Sequence, residues 1–255
     1  MQSKTHSLLI PVLLLLAFAY ANTSFAQESN ENMVLVGKAG EKTKAYVPCK
    51  VADPHCDATE LKAVELDAFY IDKYETTYAD IVQCLESGKC TKNDDLLKRI
   101  KDYMGNHPGA ENLPYDYSVG LAQNIGQDLA RDYCKALGKR LPSPEEWLLA
   151  AMGSQIQAYP WGNDKTDGIY ASKISAVGSF PRDLSVWGAY DMGGNAGEWV
   201  EGKRMGKEYE AGTKCLPEFS YPAMGNAKRI KVYERFGETR SVIEEDFYVT
   251  SRCAK

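Results

Sequence analysis

The residues with the clearest chemical potential lie in the glycine-rich stretch Gly188–Val200. It holds two carboxylates, Asp191 and Glu198, among four glycines, which let a backbone turn tightly and present its carbonyl oxygens. Carboxylate and carbonyl oxygens from one short loop are the ligands that a calcium ion takes in proteins. The same composition is typical of a glycine-rich turn between core strands. A calcium loop and a structural turn are therefore both open from these residues alone.

Seven cysteines form the second feature of chemical interest. Two pairs are close in sequence and three cysteines are far apart: Cys49 and Cys56, Cys84 and Cys90, then Cys134, Cys215 and Cys253. Each close pair can form a local disulfide, and the odd total leaves one thiol that is free, intermolecular or reactive. Zinc is the alternative at Cys56, beside His55, but structural zinc needs four ligands and the chain has few histidines. The cysteines therefore favour disulfides in an oxidising compartment.

The N-terminus has the pattern of a secretory signal peptide. A basic start precedes an apolar run over residues 8–21, and small residues lead to a cleavage site after Ala26. The run is shorter than the about 20 residues of a membrane span, and no cysteine follows the site to carry a lipid. We expect a leader at 1–26 and one exported domain at 27–255, in the periplasm or secreted, with no membrane span after leader removal.

Charge and composition narrow the classes of partner. The formal net charge of −5 becomes −6 when the leader removes its one lysine. Charges of both signs are interspersed without a basic block, so nucleic acid is not an expected partner. The apolar and charged fractions, 44% and 25%, are those of an ordinary globular protein.

The elements that must position these residues predict one mixed α+β domain. The best-specified helix follows Ser143, an N-cap with Pro144 at the first helical position and Glu146 completing a capping box. A second helix presents the apolar face of 129–137, and a third begins at Thr76 or Thr77. Strands are predicted at 33–36, 65–75, 176–181, 229–233 and 246–250, and a stapled loop at 37–62.

Several of these pieces resemble, in the same order, the formylglycine-generating enzyme (sulfatase-modifying factor) family. The similar stretches are Met33–Val36, Phe69–Thr76, Tyr133–Trp147, Tyr159–Asn163, Val177–Pro181, Tyr190–Trp199 and, more faintly, Ser251–Cys253. They span nearly all of the mature chain. The resemblance implies a compact α+β fold related to C-type lectins, with short strands and much irregular structure.

The resemblance also implies specific bonds and ligands. The family's helix cysteine and near-terminal cysteine form a disulfide, which corresponds to Cys134 with Cys253 and would stabilise the fold by constraining a long loop of the unfolded chain. With the two local bridges, Cys215 is then the remaining thiol. The family's calcium site corresponds to the side chains of Asp191 and Glu198 and the backbone carbonyls of Gly194 and Ala196. Its second calcium site needs an acidic segment that Tyr170–Ile174 lacks, so one calcium is expected.

The catalytic residues implied by the resemblance are missing. Active members oxidise a substrate cysteine with oxygen and a copper(I) ion held by two cysteines about five residues apart, after a Gly-Gly-Ser strand. The corresponding region, Tyr221–Tyr233, contains neither cysteine nor that signature. One thiol, Cys215, cannot form a bis-thiolate copper centre, so copper is not expected. His55 and His107 are too few for the three-histidine iron site of related sulfoxide synthases.

Two hypotheses follow from these observations. The first is an exported non-catalytic module in the cell envelope, which binds a protein, a peptide or a glycan through the variable segment 201–245. Its candidate contacts are Arg204, Tyr209, Tyr221, Tyr233 and Arg235, although ordinary packing would equally explain the aromatic residues. The second is a divergent formylglycine-generating oxidoreductase that uses Cys215 as nucleophile or metal thiolate.

Overall fold

The computed structural model describes residues 32–48, 61–117, 125–157, 159–162, 174–201, 223–224 and 249–255. In these residues the helices are α1 (Tyr78–Glu86), α2 (Asp94–Asn106), α3 (Ile125–Ala136) and α4 (Pro144–Met152). The strands are β1 (Met33–Val36), β2 (Thr43–Pro48), β3 (Leu61–Leu66), β4 (Phe69–Asp72), β5 (Gly197–Trp199), β6 (Ala223–Met224) and β7 (Val249–Ser251). Short strands and long irregular connections make this an α+β fold, as predicted. No helix within the described ranges is long and apolar enough to cross a membrane.

Two helices begin at the capping signals in the sequence. At α1 the hydroxyl of Thr77 accepts from the backbone N–H of Asp80, and the Asp80 carboxylate accepts from the backbone N–H of Thr77. Ser143 and Glu146 form the same reciprocal bonds at the start of α4. These bonds satisfy N–H groups that a helix N-terminus otherwise leaves without partners. Both predicted starts are confirmed, because a cap depends only on residues that are neighbours in sequence.

Regular structure lies in a segment that the sequence pattern predicted as a loop. Strand β2 pairs antiparallel with β3, from Thr43 opposite Leu66 to Pro48 opposite Leu61. The loop prediction for 37–62 is therefore wrong at residues 43–48 and 61–62. Ala45 and Val47 are buried and Lys44 is exposed, which is the alternation of a half-buried strand. The predicted Cys49–Cys56 bridge falls outside the described residues and stays a prediction.

The other strand predictions are partly right. The run predicted at 65–75 forms the end of β3 and all of β4, and in β4 Phe69 and Ile71 are buried while Tyr70 is exposed. The strand predicted at 176–181 is wrong, since Gly178 has a φ of 72° and the backbone turns there. The closing strand predicted at 246–250 is confirmed at residues 249 and 250, which belong to β7, whereas 246–248 and 229–233 lie outside the described residues.

The buried side chains form two apolar clusters. The first surrounds α4 and includes Trp147 together with Ile71 of β4 and Met192 of the glycine-rich loop. The second packs α1, α2 and α3 around tyrosines, including Tyr78 and Tyr117. The glycine-rich loop thus continues into the first core rather than lying on the surface.

The segment 249–254 is buried in the interior. Strand β7 runs parallel to β5, and the backbone carbonyl of Cys253 accepts from the N–H of Asp72 in β4 at 2.8 Å. A disulfide joins Cys253 to Cys134 of α3, and another joins Cys84 to Cys90 at the end of α1. Both agree with the expected pairings. Together these bonds fix Arg252 in the interior.

The long-range disulfide is expected to contribute more stability than the local one. It spans 119 residues against six, so the chain-entropy model gives about 5 kcal/mol against about 2 kcal/mol. We expect Cys134→Ala with Cys253→Ala to lower the free energy of unfolding by more than Cys84→Ala with Cys90→Ala. Urea denaturation of the two double variants makes the comparison, and equal losses would contradict it.

Candidate functional site

The glycine-rich loop has a strained backbone at two residues that are not glycine. Asp191 and Asn195 have φ angles of 60° and 58°, the left-handed region in which Asp and Asn are tolerated better than most residues. Such a conformation persists only where surrounding contacts determine it. Those contacts come from buried side chains outside the loop, most of them distant in sequence.

Arg252 is the first of these contacts and the only cation among them in the described residues. Its side chain is 0% exposed, and its Nε and Nη2 atoms donate to the Glu198 carboxylate at 2.8–3.0 Å. Its Nη1 donates to the backbone carbonyls of Asp72 and Lys73, and its Nη2 donates to that of Tyr190 at 2.7 Å. One guanidinium therefore joins the end of β4, the start of the loop and β5.

Trp147 of α4 adds a third donor to the same carboxylate. Its Nε1 atom donates to Glu198 Oε2 at 2.6 Å, and both side chains are fully buried. Each oxygen of Glu198 thereby accepts two hydrogen bonds, with the Nε–H of Arg252 shared between them.

Glu75 fixes the middle of the loop. Its carboxylate accepts from Asn195 Nδ2 at 2.6 Å and from the backbone N–H of Ala196 at 3.0 Å. The side chain of Asn195 also exchanges two hydrogen bonds with the backbone of Ser175. The left-handed conformation of Asn195 is thus held from both sides.

Asp183 and Asp191 complete the set of buried carboxylates. Asp183 accepts from the backbone N–H of Gly193 through both oxygens, at 2.9 and 3.1 Å. Asp191 Oδ2 accepts from the N–H of Gly178 at 2.6 Å, whereas Asp191 Oδ1 is buried and has no hydrogen-bond partner among the described residues. An unpaired buried carboxylate oxygen is costly, so this atom requires an explanation.

The electrostatic balance around the loop is strongly negative. Glu75, Asp183, Asp191 and Glu198 are each no more than 2% exposed, and Arg252 is their one buried cation in the described residues. Burial is the main cause that raises the pKa of Asp183 to about 7 and that of Asp191 to about 6, and the charge of Glu198 acts in the same direction on both. Burial and the charges of Asp191 and Glu198 also raise the pKa of Glu75 well above its usual value. The cluster therefore favours protons or another cation.

Gly193 allows the aromatic turn to pack directly on the loop. A Cβ atom at this position would lie 2.8 Å from the Trp161 ring, 3.2 Å from Pro160 and 3.1 Å from the Asp183 carboxylate. The Trp161 ring is itself stacked on Tyr159, with ring centroids 5.1 Å apart. A glycine is needed here because the aromatic turn and the carboxylate both approach the backbone closely.

The predicted calcium ligands differ in whether their oxygens are free to bind an ion. Asp191, Gly194, Ala196 and Glu198 are all buried in the loop. Asp191 Oδ1 fits, because this anionic oxygen accepts no hydrogen bond from the described residues, whereas both oxygens of Glu198 already accept two. Within the described ranges no group of three or more His, Cys, Asp or Glu side chains could hold a metal. That finding does not bear on a site of two carboxylates and two backbone carbonyls.

Other predicted site residues lie outside the described residues, namely Cys215, Arg204, Tyr209, Tyr221, Tyr233 and Arg235. Strand β6, at the start of the region that corresponds to the family's copper site, pairs antiparallel with β5, with Met224 opposite Glu198. Side chains of four residues that hold the loop were not predicted: Glu75, Trp147, Asp183 and Arg252. Three of them lie inside motifs that carried the resemblance, but nothing local in the sequence showed that they meet.

Comparison with known proteins identifies the family. The family described as sulfatase-modifying factor enzyme 1-like domain matches residues 19–215, well over half of the 255 residues. The chain belongs to this family. The prediction made from the motifs is confirmed.

Three curated relatives illustrate the range of the family. The chain is 34% identical over 145 residues to inactive C-alpha-formylglycine-generating enzyme 2 of Bos taurus, covering 49% of this chain and 46% of that protein. It is 27% identical over 156 residues to the serine/threonine-protein kinase Pkn1 of Chlamydia trachomatis, covering 58% and 25%. It is 33% identical over 101 residues to hercynine oxygenase of Mycobacterium tuberculosis, covering 35% and 23%. The chain thus spans less than half the length of these relatives.

Solved structures with a similar fold cover most of the chain at low identity. PvdO of Pseudomonas aeruginosa is 18% identical, covers 89% of this chain and 95% of its own, and gives a TM-score of 0.46. Treponema denticola variable protein 1 is 16% identical, with coverages of 87% and 94% and a TM-score of 0.49.

The buried Arg252–Glu198 pair is expected to be critical for stability. Arg252→Met leaves the Glu198 carboxylate buried without its cation, which costs about 3–5 kcal/mol of unfolding free energy. Arg131→Met is the matched control, because Arg131 bonds to Glu201 and Asp128 at the surface, where an ion pair contributes about 0–1 kcal/mol. Urea denaturation measures both variants. A loss below about 1 kcal/mol for Arg252→Met would show that the pair does not hold the loop.

Proposed function

We propose that this protein is an exported, non-catalytic member of the sulfatase-modifying factor family, which serves as a binding or structural module in the cell envelope. One observation carries the proposal. No cysteine occurs between Cys215 and Cys253, and Cys253 is bonded to Cys134. The region that follows β6 therefore lacks the two thiolates that a copper(I) oxidase of this family requires.

Two further observations support the proposal. A relative with 34% identity over the matched part is itself described as an inactive C-alpha-formylglycine-generating enzyme. The two disulfides and the leader pattern suit an oxidising compartment outside the cytoplasm. On this proposal the partner is a protein, a peptide or a glycan, and it binds to the segment 201–245. The motifs that resemble the family lie outside this segment.

The alternative is a divergent oxidoreductase that acts on a protein cysteine through Cys215. A direct assay of enzymatic activity distinguishes the two hypotheses. The copper-loaded protein is incubated with a cysteine peptide taken from a sulfatase, beside an active family member as positive control. We expect no aldehyde, detected by mass spectrometry and hydrazide capture. Aldehyde formation that is lost in Cys215→Ser and kept in Cys84→Ala with Cys90→Ala would overturn the proposal.

We further propose that the glycine-rich loop binds one structural calcium ion. The support is the unpartnered Asp191 Oδ1 atom within a cluster of four buried carboxylates and one guanidinium. A bound calcium ion would supply the positive charge that this cluster lacks. The other ligands implied by the family are Glu198 and the backbone carbonyls of Gly194 and Ala196.

Calcium removal is expected to lower thermal stability. A ligand that binds only the folded state at a concentration 100-fold above its Kd adds about 2.7 kcal/mol to the free energy of unfolding. We therefore expect the melting temperature to fall when EDTA replaces millimolar calcium, and magnesium at the same concentration to restore little of the loss. An unchanged melting temperature in EDTA would refute the calcium proposal and leave the proposal of a non-catalytic module untouched.

A further inference from the structure

The family's calcium pattern assigns both Asp191 and Glu198 as ligands, but the structure gives these carboxylates different surroundings. Glu198 lies in β5, where Arg252 and Trp147 place four hydrogen bonds on its two oxygens at 2.6–3.0 Å. A metal bound to either oxygen would have to displace a donor from a fully buried site. It would also lie next to the positive guanidinium.

Asp191 differs in both respects. Its Oδ2 atom is fixed by the N–H of Gly178 at 2.6 Å, which orients the carboxylate, and its Oδ1 atom has no partner. The side chain is 1% exposed, so bulk water does not solvate that oxygen. The backbone of Asp191 also has a left-handed φ of 60°, a strained conformation for a residue other than glycine.

The other two carboxylates of the cluster are committed to the loop backbone. Glu75 accepts from Asn195 and Ala196, and Asp183 accepts from Gly193 through both oxygens. They hold the loop residues on either side of Gly194 in place. Their oxygens are used by the loop, so they support its backbone without requiring contact with an ion.

We propose that Asp191 is the one carboxylate in this loop that binds the cation, and that Glu198 instead serves as the fixed counterion of Arg252. The proposal rests on the calcium proposal above and departs from the ligand set that the family implies. Glu75 and Asp183 are positioning residues, which hold the loop backbone around the ion.

Three isosteric variants separate these roles, since each removes one negative charge from the same cluster. Asp191→Asn keeps the acceptor for Gly178 but loses the anionic oxygen, so we expect calcium affinity to fall at least tenfold. Asp183→Asn and Glu198→Gln are the matched controls, and we expect smaller losses that resemble one another. Isothermal titration with calcium and the calcium-dependent change in melting temperature measure all three variants.

The outcomes distinguish the hypotheses. If Glu198→Gln weakens calcium as much as Asp191→Asn does, Glu198 is a ligand and the proposal is wrong. If Glu198→Gln does not fold, Trp147→Phe replaces it, because that variant removes one donor from Glu198 Oε2 and leaves every charge in place. Unchanged calcium affinity in Trp147→Phe supports the proposal, and a tenfold change overturns it. If the wild-type protein binds no calcium, both calcium proposals are wrong. The proposal of a non-catalytic module is unaffected, because the aldehyde assay tests it separately.

Discussion

The buried contact between Arg252 and Glu198 is the interaction on which the rest of the described structure depends. A guanidinium and a carboxylate that are both fully buried must find nearly all their hydrogen bonds within the protein, because each loses its hydration. Arg252 meets this need by donating to backbone carbonyls at the end of β4 and at Tyr190 as well as to β5. The pair thereby sets the relative positions of three chain segments.

This constraint explains why the glycine-rich loop is buried and strained. Its N–H groups are taken by Glu75 and Asp183, and its carboxylate Asp191 is tied to Gly178. Arg252 neutralises Glu198, and three further buried carboxylates lie in the loop or beside it. Burial and the mutual repulsion of these carboxylates raise the pKa values of Glu75, Asp183 and Asp191.

The family's fold and its oxidation chemistry use different parts of the chain, so one can persist without the other. The helix caps, the disulfide to Cys253 and the glycine-rich loop are all present, and each contributes to stability. Copper chemistry depends on two thiolates close together after β6, and the sequence lacks them. In the part of the chain that the structure describes, the loop is held by carboxylates and Arg252.

The sequence by itself determined the features that depend on neighbouring residues or on ordered motifs. These were the capped starts of α1 and α4, the alternation in β4, the family and the missing thiol pair. It predicted a strand at 176–181 where Gly178 turns the chain, and it missed β2, whose pairing with β3 is not local. Only the tertiary structure decided what Glu198 does, because its partner Arg252 is 54 residues away, just as Glu75 is 120 residues from Asn195. A carboxylate in a loop has the same sequence signal whether it faces a metal or a guanidinium, and the distinction arises when distant segments pack.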